Sequence, residues 1–239
     1  DNDNHCYSVT SVSVTKDVAT PTISIPEVAQ IDCATQTQTI SVNHIITNSL
    51  GVTYQWSVGG SNRSTMTTSD GGIYSVTVTD RDNHCYSVTS VSVTKDVVKP
   101  VVALPEVDQI DCTTQTQTIS VMHTVTNAAG VTYKWSANDT GLSTTTVSNG
   151  GIYSVTITDN DNHCSEVGTV SVTKDVAQPK VSILTVDQID CTTQTQTISV
   201  THTITNANGV SYRWSANDTG ASTITTSDAG TYSVTVTDN

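Results

Sequence analysis

Residues 150–164 read GGIYSVTITDNDNHC, and residues 71–85 read GGIYSVTVTDRDNHC. In the first half of the stretch Tyr153, Val155 and Ile157 alternate with Ser154, Thr156 and Thr158. Alternation at period two is the pattern of a strand with one face in a core and the other in water. The Asp/Asn run that follows is turn chemistry, because these residues tolerate left-handed backbone and bond to their own main chain. A strand, a tight acidic turn and a returning strand are the predicted unit.

Working outward, the unit recurs. Cys33, Cys112 and Cys191 are spaced by 79 residues, and so are Trp56, Trp135 and Trp214, and Tyr74, Tyr153 and Tyr232. A fixed period of this length has to be read before any fold is assigned. It divides the 239 residues into a last strand of a preceding module (1–17), two full modules (18–96 and 97–175) and a third lacking its last strand (176–239). On this reading the chain is a slice of a longer secreted protein.

Within the first full module, Ile23 and Ile25 form a short strand flanked by Pro21 and Pro26, as edge-strand prolines do. Ile40, Val42 and His44 share a face of the next strand; Val52, Tyr54 and Trp56 share the inward face of another. Tyr86 and Val88 are in phase with each other but out of phase with Val91 and Val93, which predicts a β-bulge near Thr89-Ser90. Gly168 stands at the matching position of the next copy. No apolar period of 3.6 residues occurs, so essentially no helix is expected.

About seven short alternating strands, a Trp on the third and an Asp-x-Gly-x-Tyr corner (Asp228–Tyr232) read as an immunoglobulin-like sandwich. The predicted fold class is all-β, with tandem immunoglobulin-like β-sandwich modules at a 79-residue repeat. Trp56, Trp135, Trp214, Tyr74, Tyr153 and Tyr232 are its expected core aromatics.

The stretches IDCTTQTQTISV (110–121), VTYKWS (131–136), GGIYSVTITDNDNHC (150–164) and VTKDV (172–176) together resemble the immunoglobulin- or PKD-like repeats of very large Bacteroidota surface adhesion and gliding proteins. The resemblance spans the chain. It implies a tandem extracellular stalk or adhesive array without catalysis.

Composition narrows the partners. A formal net charge of −13 argues against nucleic acid or an anionic membrane, and no apolar run is long enough to insert in one. The expected partners are other copies of the same module, in a filament or a continuous array. Absence of Phe leaves thin cores, which often use covalent staples. Six cysteines in a Thr-, Ser- and Val-rich chain suggest disulfides and an extracellular or cell-surface setting.

Three pairings can be drawn. The preferred one lies within a module, Cys33 with Cys85 and Cys112 with Cys164, leaving Cys6 and Cys191 to neighbouring repeats or chains. Pairing across each linker, such as Cys85 with Cys112, would have to close tens of ångströms of extended chain to the ~6 Å a disulfide needs. The third pairing joins the base of one repeat to the turn of the next, Cys33 with Cys164. Redox catalysis is not expected, since no Cys-x-x-Cys occurs.

Other residues invite chemistry and have plainer explanations. Asp80, Asp82 and Asn83, and likewise Asp159, Asp161 and Asn162, with Asp96 of a linker, offer hard oxygens for calcium bridging a joint; a solvated Asn/Asp turn explains them as well. No other cofactor is indicated. Asn62, Asn138 and Asn217 open N-x-[ST] sequons in loops, a pattern that chance supplies often in Thr-rich chains. His44, His123 and His202 read as structural groups bonded to a neighbour, and no nucleophile–base constellation is visible, so an enzyme is not expected. The rival class is a carbohydrate- or surface-binding adhesin module, which would turn its Trp residues to solvent. A variant of the structural reading is donor-strand completion, in which residues 5–15 of one chain complete the sandwich at 176–239 of another.

Overall fold

The computed structural model describes residues 3–47, 50–60, 62–126, 129–138, 141–205, 209–216 and 220–239. Among them every regular element is a strand. The chain forms two compact units, one of residues 1–104, 121–143 and 154–168, the other of residues 105–120, 144–153 and 169–239. These boundaries do not follow the repeats expected from the sequence.

The first repeat contributes β1 (Thr22–Ser24), β2 (Gln38–Ser41), β3 (Asn43–Ile45), β4 (Val52–Trp56), β5 (Thr65–Thr68), β6 (Gly72–Asp80) and β7 (Tyr86–Val93). The pairings between these strands are antiparallel, and an isolated parallel bridge joins Ile31 to Lys95. β1 pairs with β3 and β2 with β5, while β4, β6 and β7 form a three-stranded sheet in that order. β2 and β3 are one run of chain interrupted at Val42, whose N–H donates instead to Ser64 O. The β-branched and aromatic residues of β4 and β6 suit a half-buried pleated surface. Ile31, Ile40, Val42, Trp56, Tyr74, Val76, Val78 and Val93 close the core between the sheets.

The plan returns as β8 (Val101–Ala103), β9 (Gln117–Ser120), β10 (Met122–Thr124), β11 (Val131–Trp135), β12 (Thr144–Val147), β13 (Gly151–Asp159) and β14 (Ser165–Val172). Here β8 pairs with β10, β9 with β12, and β11, β13 and β14 are ordered as β4, β6 and β7 are. The third repeat has β15 (Lys180–Ile183), β16 (Gln196–Thr203), β17 (Val210–Trp214), β18 (Thr223–Thr226) and β19 (Val234–Asp238). β15, β16 and β18 make one sheet, and β17 pairs with β19.

Two features fix the family of sandwich. Each Trp donates its indole N–H to a loop carbonyl at 2.9 Å: Trp56 to Arg63, Trp135 to Leu142, Trp214 to Ala221. Each corner Tyr donates its hydroxyl to a carbonyl four residues back: Tyr74 to Asp70 at 2.7 Å, Tyr153 to Asn149 at 2.7 Å, Tyr232 to Asp228 at 2.8 Å. With the strand order, this is the tyrosine corner and buried Trp of an immunoglobulin-like fold. The modules are immunoglobulin-like sandwiches.

The expected bulge at Thr89-Ser90 is not there. The β6–β7 register runs unbroken from Gly72 opposite Val93 to Thr79 opposite Tyr86. Ser87, Thr89, Val91 and Val93 share the inward face, and Tyr86 and Val88 face out. The apparent slip is a change of residue type along one straight strand. Polar groups are tolerated inside because they find partners; Ser87 Oγ donates to Pro21 O at 2.6 Å.

The third repeat differs in a way the pairing explains. β6 and β13 have nine residues each, β19 only five. β4 reaches Val76–Asp80 of β6, so among the described residues the first four residues of β6 have β7 as their only ladder partner. Among the described residues the third repeat has no counterpart of β7, and residues 230–233 form no strand. At the other end of the sequence, residues 5–21 form no strand either, and Tyr7, Val9, Val12 and Val14 are exposed.

Candidate functional site

A set of specific contacts outside the sandwich cores lies within the first unit, where the base of the first repeat meets the acidic turn of the second. A disulfide joins Cys33 to Cys164, with Cα atoms 5.0 Å apart. The preferred pairings Cys33–Cys85 and Cys112–Cys164 are therefore corrected in favour of the third alternative. The reason is topological: a base and a turn lie at opposite ends of one sandwich and come together only at a joint between two.

Several further bonds surround the disulfide. Cys33 N–H donates to Asn162 O at 3.0 Å. Asn162 is fully buried and donates its Nδ2 to Val98 O at 2.8 Å, while its Oδ1 accepts Cys164 N–H at 2.9 Å. His163 Nδ1–H faces Asp32 Oδ2 at 2.9 Å. His163 holds a left-handed backbone (φ 55°), as His84 does in the first repeat (φ 60°). The Asp32 carboxyl is held below its ordinary value, chiefly by the Thr35 N–H, with His163 and the Ala34 N–H adding to it against partial desolvation. Asp96 is also lowered, first by the Val98 N–H and then by Asn162. Lys99 pairs with Glu166 at 3.1 Å alongside.

The residues named for calcium do not form a cation cage. Among the described residues no group of three His, Cys, Asp or Glu side chains comes together to hold a metal ion. Asp80 and Asp159 are buried, and each turns Oδ1 onto its own loop, accepting from Asp82 N–H and Asp161 N–H at 2.9 Å. Asp96 does approach the neighbouring repeat, but through Asn162 and, at 3.4 Å, the Thr126 hydroxyl. Carboxylates committed to backbone donors leave few lone pairs converging on one point.

The remaining candidates fall as follows. Trp56, Trp135 and Trp214 are all under 5% exposed, so none offers a ring to a sugar or a surface. Tyr74 is buried, and Tyr153 and Tyr232 are half-buried. Asn62 and Asn138 are exposed; Asn62 Oδ1 accepts Tyr54 N–H, which ties its loop to β4. Asn217 lies outside the described residues. His44, His123 and His202 meet the hydroxyls of Tyr54, Tyr133 and Tyr212 through Nδ1 at 3.0–3.4 Å, edge to ring.

No protein-family model matches the chain, and no curated protein does. Among solved structures it is similar to the titin domains Z1Z2 in complex with telethonin, at 10% identity and a TM-score of 0.25, over 68% of this chain and 100% of that one. It is also similar to domains 4–9 of the surface layer protein SbsC, at 12% identity and a TM-score of 0.31, over 89% of this chain and 45% of that one. The immunoglobulin-like assignment rests on strand order, tyrosine corner and buried Trp.

Sequence reasoning missed the Asp32–His163 pair, and it read Asn162 as an oxygen ligand where the structure has it buried and donating to Val98 O. A signal was present. Asp stands directly before each base cysteine (Asp32, Asp111, Asp190), and His directly before each turn cysteine (His5, His84, His163). The Cys33–Cys164 bond brings Asp32 against His163.

Proposed function

We propose that this chain is a structural segment of an extracellular filament or surface adhesin stalk, of the kind found among Bacteroidota surface proteins, with modules linked head to tail. The observation that carries the reading is the Cys33–Cys164 joint. A disulfide, a buried Asn and an Asp–His pair are spent on fixing one module against the next. A binding module needs no such joint, whereas a load-bearing array does. The disulfide also supports an oxidising, extracytoplasmic location. Catalysis has no part in this reading.

Antibody raised against residues 97–175 and applied to intact, unpermeabilised producing cells tests it. Label along surface fibres in electron micrographs is expected. Label confined to broken cells would refute the location, and label at isolated points on a smooth surface would refute the filament.

A further inference from the structure

Between β12 and β13 the chain runs through Ser148, Asn149 and Gly150, all exposed. This corner is held from two sides. Tyr153 donates its hydroxyl to Asn149 O at 2.7 Å. Lys174, two residues past the end of β14, donates from Nζ to Ser148 O at 2.7 Å and to Asn149 Oδ1 at 3.3 Å. The ammonium therefore sits on the oxygen of the Asn149 side-chain amide.

Packing requires glycine at position 150. A Cβ there would stand 3.2 Å from Lys174 Cβ, 3.2 Å from Lys174 N and 3.3 Å from Val172 O, and the last two are backbone atoms. The close approach has two consequences. It carries the Lys174 side chain to Asn149, and it leaves the Gly150 nitrogen with no side chain of its own to shield it.

The first repeat makes the same corner with a carboxylate. Asp70, Gly71 and Lys95 stand where the second repeat has Asn149, Gly150 and Lys174. Lys95 Nζ lies 3.2 Å from Asp70 Oδ1, Tyr74 donates to Asp70 O at 2.7 Å, and a Cβ on Gly71 would meet Lys95 Cβ at 3.1 Å. An aspartate at this corner is thus compatible with the contacts that hold it.

We propose that Asn149 is a self-modifying site, at which the Gly150 main-chain nitrogen displaces the side-chain amide with the help of Lys174 and water completes the conversion to aspartate. The Gly150 N–H loses its proton to solvent, and the nitrogen forms a bond to Asn149 Cγ. Negative charge gathers on Oδ1, where the Lys174 ammonium donates to it. The Cγ–Nδ2 bond then breaks, and ammonia leaves with a proton taken from solvent. Water opens the resulting five-membered imide. Addition at Cγ breaks its bond to Gly150 N and gives aspartate with the main chain restored. Addition at the main-chain carbonyl gives the isoaspartyl form. Water is the only co-reactant, and nothing is oxidised or reduced. The chain gains one negative charge, and the aspartyl product gains the ion pair that Asp70 and Lys95 already make.

The test uses the 1–239 chain, aged in H₂¹⁸O at neutral pH, then reduced and digested with trypsin in ordinary water. Mass spectrometry of peptide 135–174 should find one ¹⁸O at residue 149. Lys174→Met keeps the reach of the side chain without its charge and should slow that uptake about two- to fivefold, the range of an exposed charge contact. Asn208, the other asparagine followed by glycine, lies outside the described residues and is the control within the same chain. Its uptake should be the same with and without Lys174, and Trp135 emission reports that the second repeat of the variant is folded. On isoelectric focusing, Asn149→Asp should comigrate with the acidic band that ageing produces. Absence of ¹⁸O at residue 149 would overturn the proposal. So would loss of ammonia with a Lys174–Asn149 cross-link, an uptake at residue 149 that ignores Lys174→Met, or equal slowing at both asparagines.

Discussion

Cys33 and Cys164 lie 131 residues apart in sequence and 5.0 Å apart at their Cα atoms. The bond closes a loop that contains most of the first repeat and of the second, so it restrains both in the unfolded chain. In the chain-entropy picture a loop of this size gains about 4–5 kcal/mol, with losses of roughly 2–5 kcal/mol usual on removing native bridges. Cys33→Ser with Cys164→Ser should lower the urea midpoints reported by Trp56 and Trp135. The midpoint reported by Trp214, outside the loop, should not move. Variants keeping one Trp each separate the three by fluorescence, and an equal fall in all three would contradict a local role.

The tyrosine corner gives a graded prediction. Tyr74 is 6% exposed, and its hydroxyl meets both Asp70 O and the Thr68 hydroxyl, at 2.7 and 2.6 Å. Tyr74→Phe removes one hydrogen bond from each, while the Thr68 hydroxyl still donates to Asp70 O and accepts Asp70 N–H, so the cost is about 0.5–1.5 kcal/mol. Tyr232 makes the same bonds but is half-buried, so water can replace the lost donor. Tyr232→Phe should cost less by urea denaturation.

Asp32 predicts an acid limit for the joint. Its folded pKa lies below the ordinary 3.8, so its contribution to stability is complete above that value and is lost as pH falls through the lower folded value. A carbon-detected NMR titration of Asp32 Cγ should show a midpoint below 3.8. His163→Ala should raise the midpoint only part of the way, because the Thr35 N–H is the largest cause and remains. Full return to the ordinary value would make the imidazole the main anchor instead.

The strands were legible because alternation at period two is imposed by the pleat, whatever the module packs against. Trp56 and Tyr74 were placed by the same parity. Legibility failed where the partner is not local. Nothing around Cys33 states which end of which module it meets, because that depends on how one sandwich sits on the next. Parity misled at Val88, which is apolar yet faces out, while Ser87 and Thr89 face in. The acidic turns differ in the other direction: Asp80 and Asp159 look like ligands in sequence, but the Oδ1 of each accepts a backbone N–H of its own turn.

Gly168 offers the sharpest test of how the repeats have drifted. A Cβ built there would run into Leu104 Cδ1 and Val102 Cγ1, so the position is closed by neighbouring side chains. The first repeat has Thr89 at this place, opposite Ile23 and Ile25 where the second has Val102 and Leu104. The longer reach of Leu104 accounts for the missing side chain. Gly168→Thr, although it installs the first repeat's own residue, should destabilise the second repeat by about 1–3 kcal/mol through overpacking. Adding Leu104→Ile should recover much of that loss, and a double-mutant cycle on the Trp135 fluorescence transition measures the coupling. Additive effects of the two substitutions would show that Leu104 is not what closes the position.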